Sequence, residues 1–206
     1  MINHYLIEDP IIGAILKHKF LIQLFTAPDS PEWVERCTAE IKHKEKIANE
    51  ALQQGQFENY IGIHERPYRL DALLNCIECV QSPDQYWELV HHVWVDTEYP
   101  CINKSTRKKW YHLWNNNRFL QRQPPCQDSD CQFYNDLPPI ITVYRGGHPE
   151  GFSWTLSLDL ARSFATNNKA KLYKMTIAKS EINWLSNARN EQEVVITNNK
   201  NAWKEI

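Results

Sequence analysis

The feature that most restricts how this chain can fold is a change of hydrophobic rhythm near residue 123. Before it, apolar residues return at three- and four-residue intervals, the spacing that lines one face of a helix; after it, short β-branched runs alternate with turns. The 16-residue stretch from Pro10 to Phe25 is expected to be helical, with Ile11, Ile12, Ile15, Leu16, Phe20, Leu21 and Leu24 drifting around one side. Ala27-Pro28-Asp29-Ser30-Pro31 ends it. Ser30 then has the chemistry of an N-cap, with Pro31 at the first helical position and Glu32 and Glu35 where acids suit the helix dipole. Trp33, Cys37, Ile41, Ala48 and Ala51 give this second helix an apolar stripe, while Lys42, Lys44, Glu45, Lys46 and Glu50 face water. Ser82-Pro83-Asp84 repeats the start signal before Tyr86, Trp87, Val90 and Trp94, and a further helix carries Trp110, Tyr111 and Trp114. Aromatics at these intervals are read as core.

Gln123-Pro124-Pro125-Cys126-Gln127-Asp128-Ser129-Asp130 is a polar, proline-bearing connection, and Leu137-Pro138-Pro139 precedes the strand-like run Ile140 to Arg145. Further strands are expected at Phe152 to Thr155, Lys171 to Ile177 and Val194 to Thr197, with a helix at Asp159 to Ala165. The resulting expectation is an α+β protein: a helical region over 1–122 that packs on or extends a small mixed-sheet domain over 123–206.

Composition narrows the class of protein. With 42% hydrophobic and 23% charged residues the chain fits neither the disordered nor the membrane class. No run approaches the roughly 18 apolar residues needed to span a bilayer, and no basic segment followed by an apolar one opens the chain. A cytoplasmic setting with no membrane partner is expected. A chain of this length with eight tryptophans does not need its six cysteines as staples, so reduced thiols are expected. Cys76 and Cys79, with Cys126 and Cys131, could offer four thiolates to zinc. The apolar spacing of Leu70, Leu73, Leu74, Ile77 and Val80 instead favours core cysteines, and no metal site is expected, at His91 and His92 included. From Tyr99 to Gln127 there are six basic residues and no acidic one. Such asymmetry marks either a contact surface for phosphates or a solvated helix face.

Three stretches carry candidate chemistry. In Val143-Tyr144-Arg145-Gly146-Gly147-His148, a strand ends in an arginine followed by two glycines, so backbone can approach a ligand while the guanidinium forks a pyrophosphate. In Gly151-Phe152-Ser153-Trp154-Thr155, the two-residue period turns Ser153 and Thr155 to one face, where two hydroxyls could grip a ribose, and Trp154 to the other. In Glu191-Gln192-Glu193-Val194-Val195-Ile196, alternation is expected to set two carboxylates on one face at the mouth of a strand. Each stretch also has a plain structural use, Arg145 as a salt bridge to Glu191 or Glu193 and the glutamates as a solvated strand end.

In this order the three stretches, spanning residues 140 to 197, resemble the arginine, serine and glutamate signatures of mono-ADP-ribosyltransferases of the bacterial-toxin and bacteriophage type. The resemblance implies that Arg145, Gly146, Ser153, Trp154 and Thr155 hold NAD as co-substrate. It further implies that Glu193 stabilises an oxocarbenium-like ribosyl cation and that Glu191 orients or deprotonates the acceptor. His148 stands behind these groups. Ser-Trp-Thr replaces the family's Ser-Thr-Ser, and only seven residues separate Arg145 from Ser153. Strands completing the sheet are therefore expected from 55–65 or 117–135.

The function implied is a glycosyltransferase that moves ADP-ribose from NAD to a macromolecular acceptor, an arginine side chain being favoured by the Glu-x-Glu pair. Such an enzyme would suit a toxin or a phage or antiphage-defence effector, with an antitoxin or regulatory partner. Two alternatives stand beside it: an RNA or DNA acceptor docked on Lys108, Lys109 and Arg118, and an inactive binding or inhibitor module on the same fold.

Overall fold

The computed structural model describes residues 5–9, 13–25, 30–119, 126, 130–187, 190–198 and 203–206. The chain forms an α+β protein of two compact units, Met1–Glu98 and Tyr99–Ile206. The compositional change near residue 123 thus falls inside the second unit.

The first unit opens with an antiparallel sheet, β1 (Leu6–Asp9), β2 (Gly13–His18) and β3 (Leu21–Phe25), in that order. This overturns the helix expected over Pro10 to Phe25, whose first three residues lie outside those described. The physical reason is a period of two hidden in an apolar run: Ala14, Leu16 and His18 are buried while Lys17 is exposed and Ile15 half-exposed. Leu16 and Leu21 then pack on Cys37, with Trp33, Val34 and Ile41 around them. Those last four residues belong to α1 (Pro31–Gln53), which Ser30 caps as expected by accepting from the Trp33 amide at 3.4 Å.

Helices α2 (Phe57–Ile63), α3 (Arg69–Cys76) and α4 (Pro83–Asp96) complete the unit. Ser82 caps α4 by accepting from the Gln85 amide, and Tyr86, Trp87, Val90 and Trp94 are all buried, as the aromatic spacing predicts. Residues 57–63 are therefore helical and supply no strand. His91 is enclosed on α4 against Trp87, its ring stacked at 6.1 Å between centroids. Burial drives its pKa down to about 3, so the ring is neutral.

The second unit contains α5 (Lys104–Trp114), α6 (Cys131–Asp136) and α7 (Leu158–Asn167) around a six-stranded sheet. Its strands are β4 (Ile140–Gly146), β5 (Ser153–Thr155), β6 (Leu172–Ala178), β7 (Trp184–Ser186), β8 (Glu193–Val195) and β9 (Trp203–Glu205). The order is β7-β8-β5-β4-β6-β9, and every neighbouring pair is antiparallel, not mixed as expected. No strand is described within 55–65; of 117–135, residues 120–125 and 127–129 lie outside the described residues and Cys126 makes a single bridge to Leu185, while β7 and β9 extend the sheet.

One face of the sheet carries Ile141, Val143, Trp154, Tyr173, Met175, Leu185 and Val194 in a single apolar cluster. On the other, Trp184 stacks on Trp114 of α5 at 6.0 Å. Helix α7 crosses β4 so closely that a Cβ on Gly146 would overlap the backbone of Ala161 and Ala165. Among the described residues no helix is long and apolar enough to cross a membrane.

Candidate functional site

The expected site residues come from three consecutive strands, β4, β5 and β8. Register sets Tyr144 opposite Thr155, Thr155 opposite Glu193, and Glu193 opposite Ser186. Residues paired across an antiparallel ladder share a face. Thr155, Glu193 and, two residues along β5, Ser153 therefore lie on the side opposite the Trp154 cluster. Glu193 is buried, with 5% of its surface exposed, so its carboxylate is sheltered from solvent screening.

The β4–β5 ladder is short, and Arg145 occupies its splayed end. Its Nε donates to the His148 carbonyl at 2.7 Å, and its Nη1 donates to the Ser153 carbonyl. The guanidinium lies flat against Gly151, where a Cβ would overlap it. Gly147, at φ 145°, lets the chain turn behind it. Burial works against the Arg145 charge, and Cys101 and Glu193 work in its favour. Glu193 thus favours the Arg145 charge although β5 separates their strands, and register sets Arg145, opposite Tyr173, on the Trp154 side of the sheet and Glu193 on the other.

The other expected residues divide. Thr155 is buried and its hydroxyl is committed: it donates to the Glu191 carbonyl at 2.6 Å and accepts from the Ser157 amide at 3.1 Å. Its role is to fix the turn that carries the glutamates. Ser153 is half-buried. Trp154, expected at NAD, is a core residue 2% exposed, and its Nε1 donates to the Gly151 carbonyl at 3.0 Å. It holds the loop under Arg145 and touches no ligand-accessible surface. Gly146, expected to admit a ligand, admits helix α7 instead.

Glu191 and Glu193 do not share a face by alternation, because β8 begins only at Glu193. Asn190 and Gln192 have φ of 55° and 45°, a left-handed turn that breaks the two-residue period. Asn187 organises that turn, its carbonyl accepting from the Asn190 amide and its Oδ1 from the Gln192 amide. The Gln192 carbonyl in turn accepts from the Leu156 amide.

Two residues at the site were not singled out by the sequence. Cys101, half-buried, is hydrogen-bonded to the Phe152 backbone; burial pushes its thiol pKa up, while Arg145 and Arg107 pull it down and Glu193 raises it. Arg107, on α5, pairs with Glu150, whose carboxyl it holds below the usual range. No sequence signal links them to the site, since both lie some 40 residues upstream of Arg145 in a stretch marked mainly by its basic residues. On α5, Lys104 and Lys108 are exposed and Lys109 is half-buried, while Arg118 lies beyond its end with its guanidinium over Phe119. Tyr111 is half-exposed, 6.4 Å from the Phe152 ring.

A cleft of about 470 Å³ opens beside the β4–β5 loop, lined by Gly147, His148, Glu150, Lys171, Tyr173 and Trp203 among others. Its strand residues come from β6 and β9, so it borders the loop that Arg145 holds from the side away from Glu193. No cluster of three or more His, Cys, Asp or Glu suited to a metal occurs among the described residues. No protein-family model, curated protein or solved structure matches the chain.

Proposed function

We propose that the chain is an NAD-dependent mono-ADP-ribosyltransferase acting on a macromolecular acceptor. What carries this reading is that a buried Glu193 favours the Arg145 charge and that Arg145, Ser153 and Glu193 fall on three consecutive strands, β4, β5 and β8. The residues fit the co-substrate: two backbone carbonyls use only part of the Arg145 donor fork, leaving N–H groups for a pyrophosphate. Ser153 is the hydroxyl left for the nicotinamide-side ribose, now that Thr155 is committed to the turn.

Breaking the bond between ribose and nicotinamide builds positive charge on the sugar while the base departs neutral. A fixed carboxylate in a sheltered site stabilises that charge more in the transition state than in the ground state. Glu193 is that group, and no strong acid is needed for the leaving group. Glu191, half-buried on the turn beside it, orients the acceptor.

A protein acceptor with an arginine side chain follows from the Glu-x-Glu resemblance. An RNA or DNA acceptor is favoured instead by the exposed Lys104 and Lys108 and the half-exposed Tyr111 on α5. Adenine-labelled NAD incubated with the chain and cell lysate separates the readings. Label that protease digestion releases supports a protein acceptor, and label that nuclease releases, with transfer falling steeply as salt rises, supports the nucleic acid. Label in neither, with no nicotinamide set loose, leaves a binding module and overturns the proposal.

A further inference from the structure

Cys126 and Cys131 lie outside the residues assigned to NAD, yet they are tied to the turn that delivers Glu193. Their Sγ atoms are 2.7 Å apart, and both side chains carry thiols. A disulfide measures about 2.05 Å, so its formation asks for less than about 1 Å of approach. Cys126 is buried and its backbone forms an isolated parallel bridge with Leu185 of β7. Cys131 is half-buried at the start of α6 and is the thiol an oxidant in solvent would meet first.

Asp130, buried immediately before Cys131, accepts from the Asn187 amide through Oδ2 at 3.0 Å. Asn187 in turn holds Asn190 and Gln192, one residue before Glu193. A covalent link from residue 126 to 131 would close a short ring containing Asp130, restricting the backbone that aims its carboxylate.

We propose that Cys126 and Cys131 form a reversible disulfide that clamps Asp130 onto the turn preceding Glu193. The oxidant class is a small-molecule disulfide such as oxidised glutathione. The Cys131 thiolate attacks one of its sulfurs, breaking that S–S bond and releasing one glutathione thiolate. The Cys126 thiolate then attacks Cys131 Sγ, forming the internal S–S bond and releasing the second glutathione. The two cysteines lose two electrons, the glutathione disulfide gains them, and the two thiol protons end on the two glutathiones. The thiol chemistry does not depend on the chain using NAD.

The test uses the full chain equilibrated in glutathione buffers of graded redox poise, alkylated and digested with trypsin. Both cysteines fall in the peptide from Gln123 to Arg145. The expected result is a form of this peptide that resists alkylation and is lighter by two hydrogens, growing with oxidised glutathione and reversed by dithiothreitol. In that form amide exchange at Asn187, Asn190 and Gln192 should slow several-fold, and Cys131→Ser should leave Cys126 open to alkylation in every buffer. Continued alkylation of both thiols under the most oxidising buffer, or arrest at a glutathione adduct on Cys131, overturns the disulfide. An internal disulfide with unchanged exchange at those amides overturns the clamp. Neither readout involves NAD, so failure here is distinct from failure of the transferase reading.

Discussion

At Arg145 the guanidinium does two things at once: it closes the open end of the β4–β5 ladder through the His148 and Ser153 carbonyls, and it faces the field of Glu193. The neighbouring glycines explain why this is sterically feasible. A methyl group on Gly151 would meet the guanidinium, so Gly151→Ala should displace it. NAD affinity should then fall by a loss on the order of 2 kcal/mol, the scale of a charged hydrogen bond, measured by calorimetry; unchanged affinity would detach the guanidinium from the ligand. Gly146→Ala meets the backbone of α7 rather than a flexible side chain. It should lower the stability of the protein by about 2 kcal/mol, the scale of core overpacking, read as a lower denaturant midpoint. A midpoint that does not move would mean that α7 yields freely.

The elements differ in how legible they were. The helix starts at Ser30 and Ser82 were readable because a capping hydroxyl followed by proline is a local signal, and both caps are formed. Residues 13–25 look helical in sequence because Ile15, Leu16, Leu21 and Leu24 drift around one side, and only pairing across β2 and β3 exposes their period of two. β7 and β9, three residues each, are too short to announce a period at all. Within the candidate site the strands of Arg145 and Ser153 are legible in the sequence, but Glu-Gln-Glu has the spacing of one alternating strand. Left-handed Asn190 and Gln192 break that alternation, and neither is a glycine whose presence would have flagged it.

Helix α4 also carries an acid-sensitive element. The His91 pKa, lowered by burial from 6.5 to about 3, means that folding favours the neutral ring. Its contribution is fully present above the unfolded value of 6.5 and is lost as pH falls through the interval down to about 3. The denaturant midpoint should therefore drop between neutrality and about pH 5, and the drop should be smaller in His91→Leu. Equal acid sensitivity in both proteins would assign the effect to other groups.

For the whole molecule, the ordering of motifs along the chain became an ordering of strands in space. Arg145, Ser153 and Glu193 come from neighbouring strands of the sheet, β4, β5 and β8, although 47 residues of sequence separate the first from the last. Sequence could give the strands but not that adjacency, nor that Cys101 and, on α5, Arg107 would come into the electrostatic neighbourhood of Arg145 and Glu193. The most direct measurement on the central claim is nicotinamide release from NAD by the intact chain beside Glu193→Gln, with NAD binding measured in parallel. The expected result is release by the intact chain and loss of turnover in the variant, with affinity kept within a few-fold because the carboxylate acts mainly in the transition state. Release that persists undiminished in Glu193→Gln, or affinity that collapses together with the rate, would contradict it.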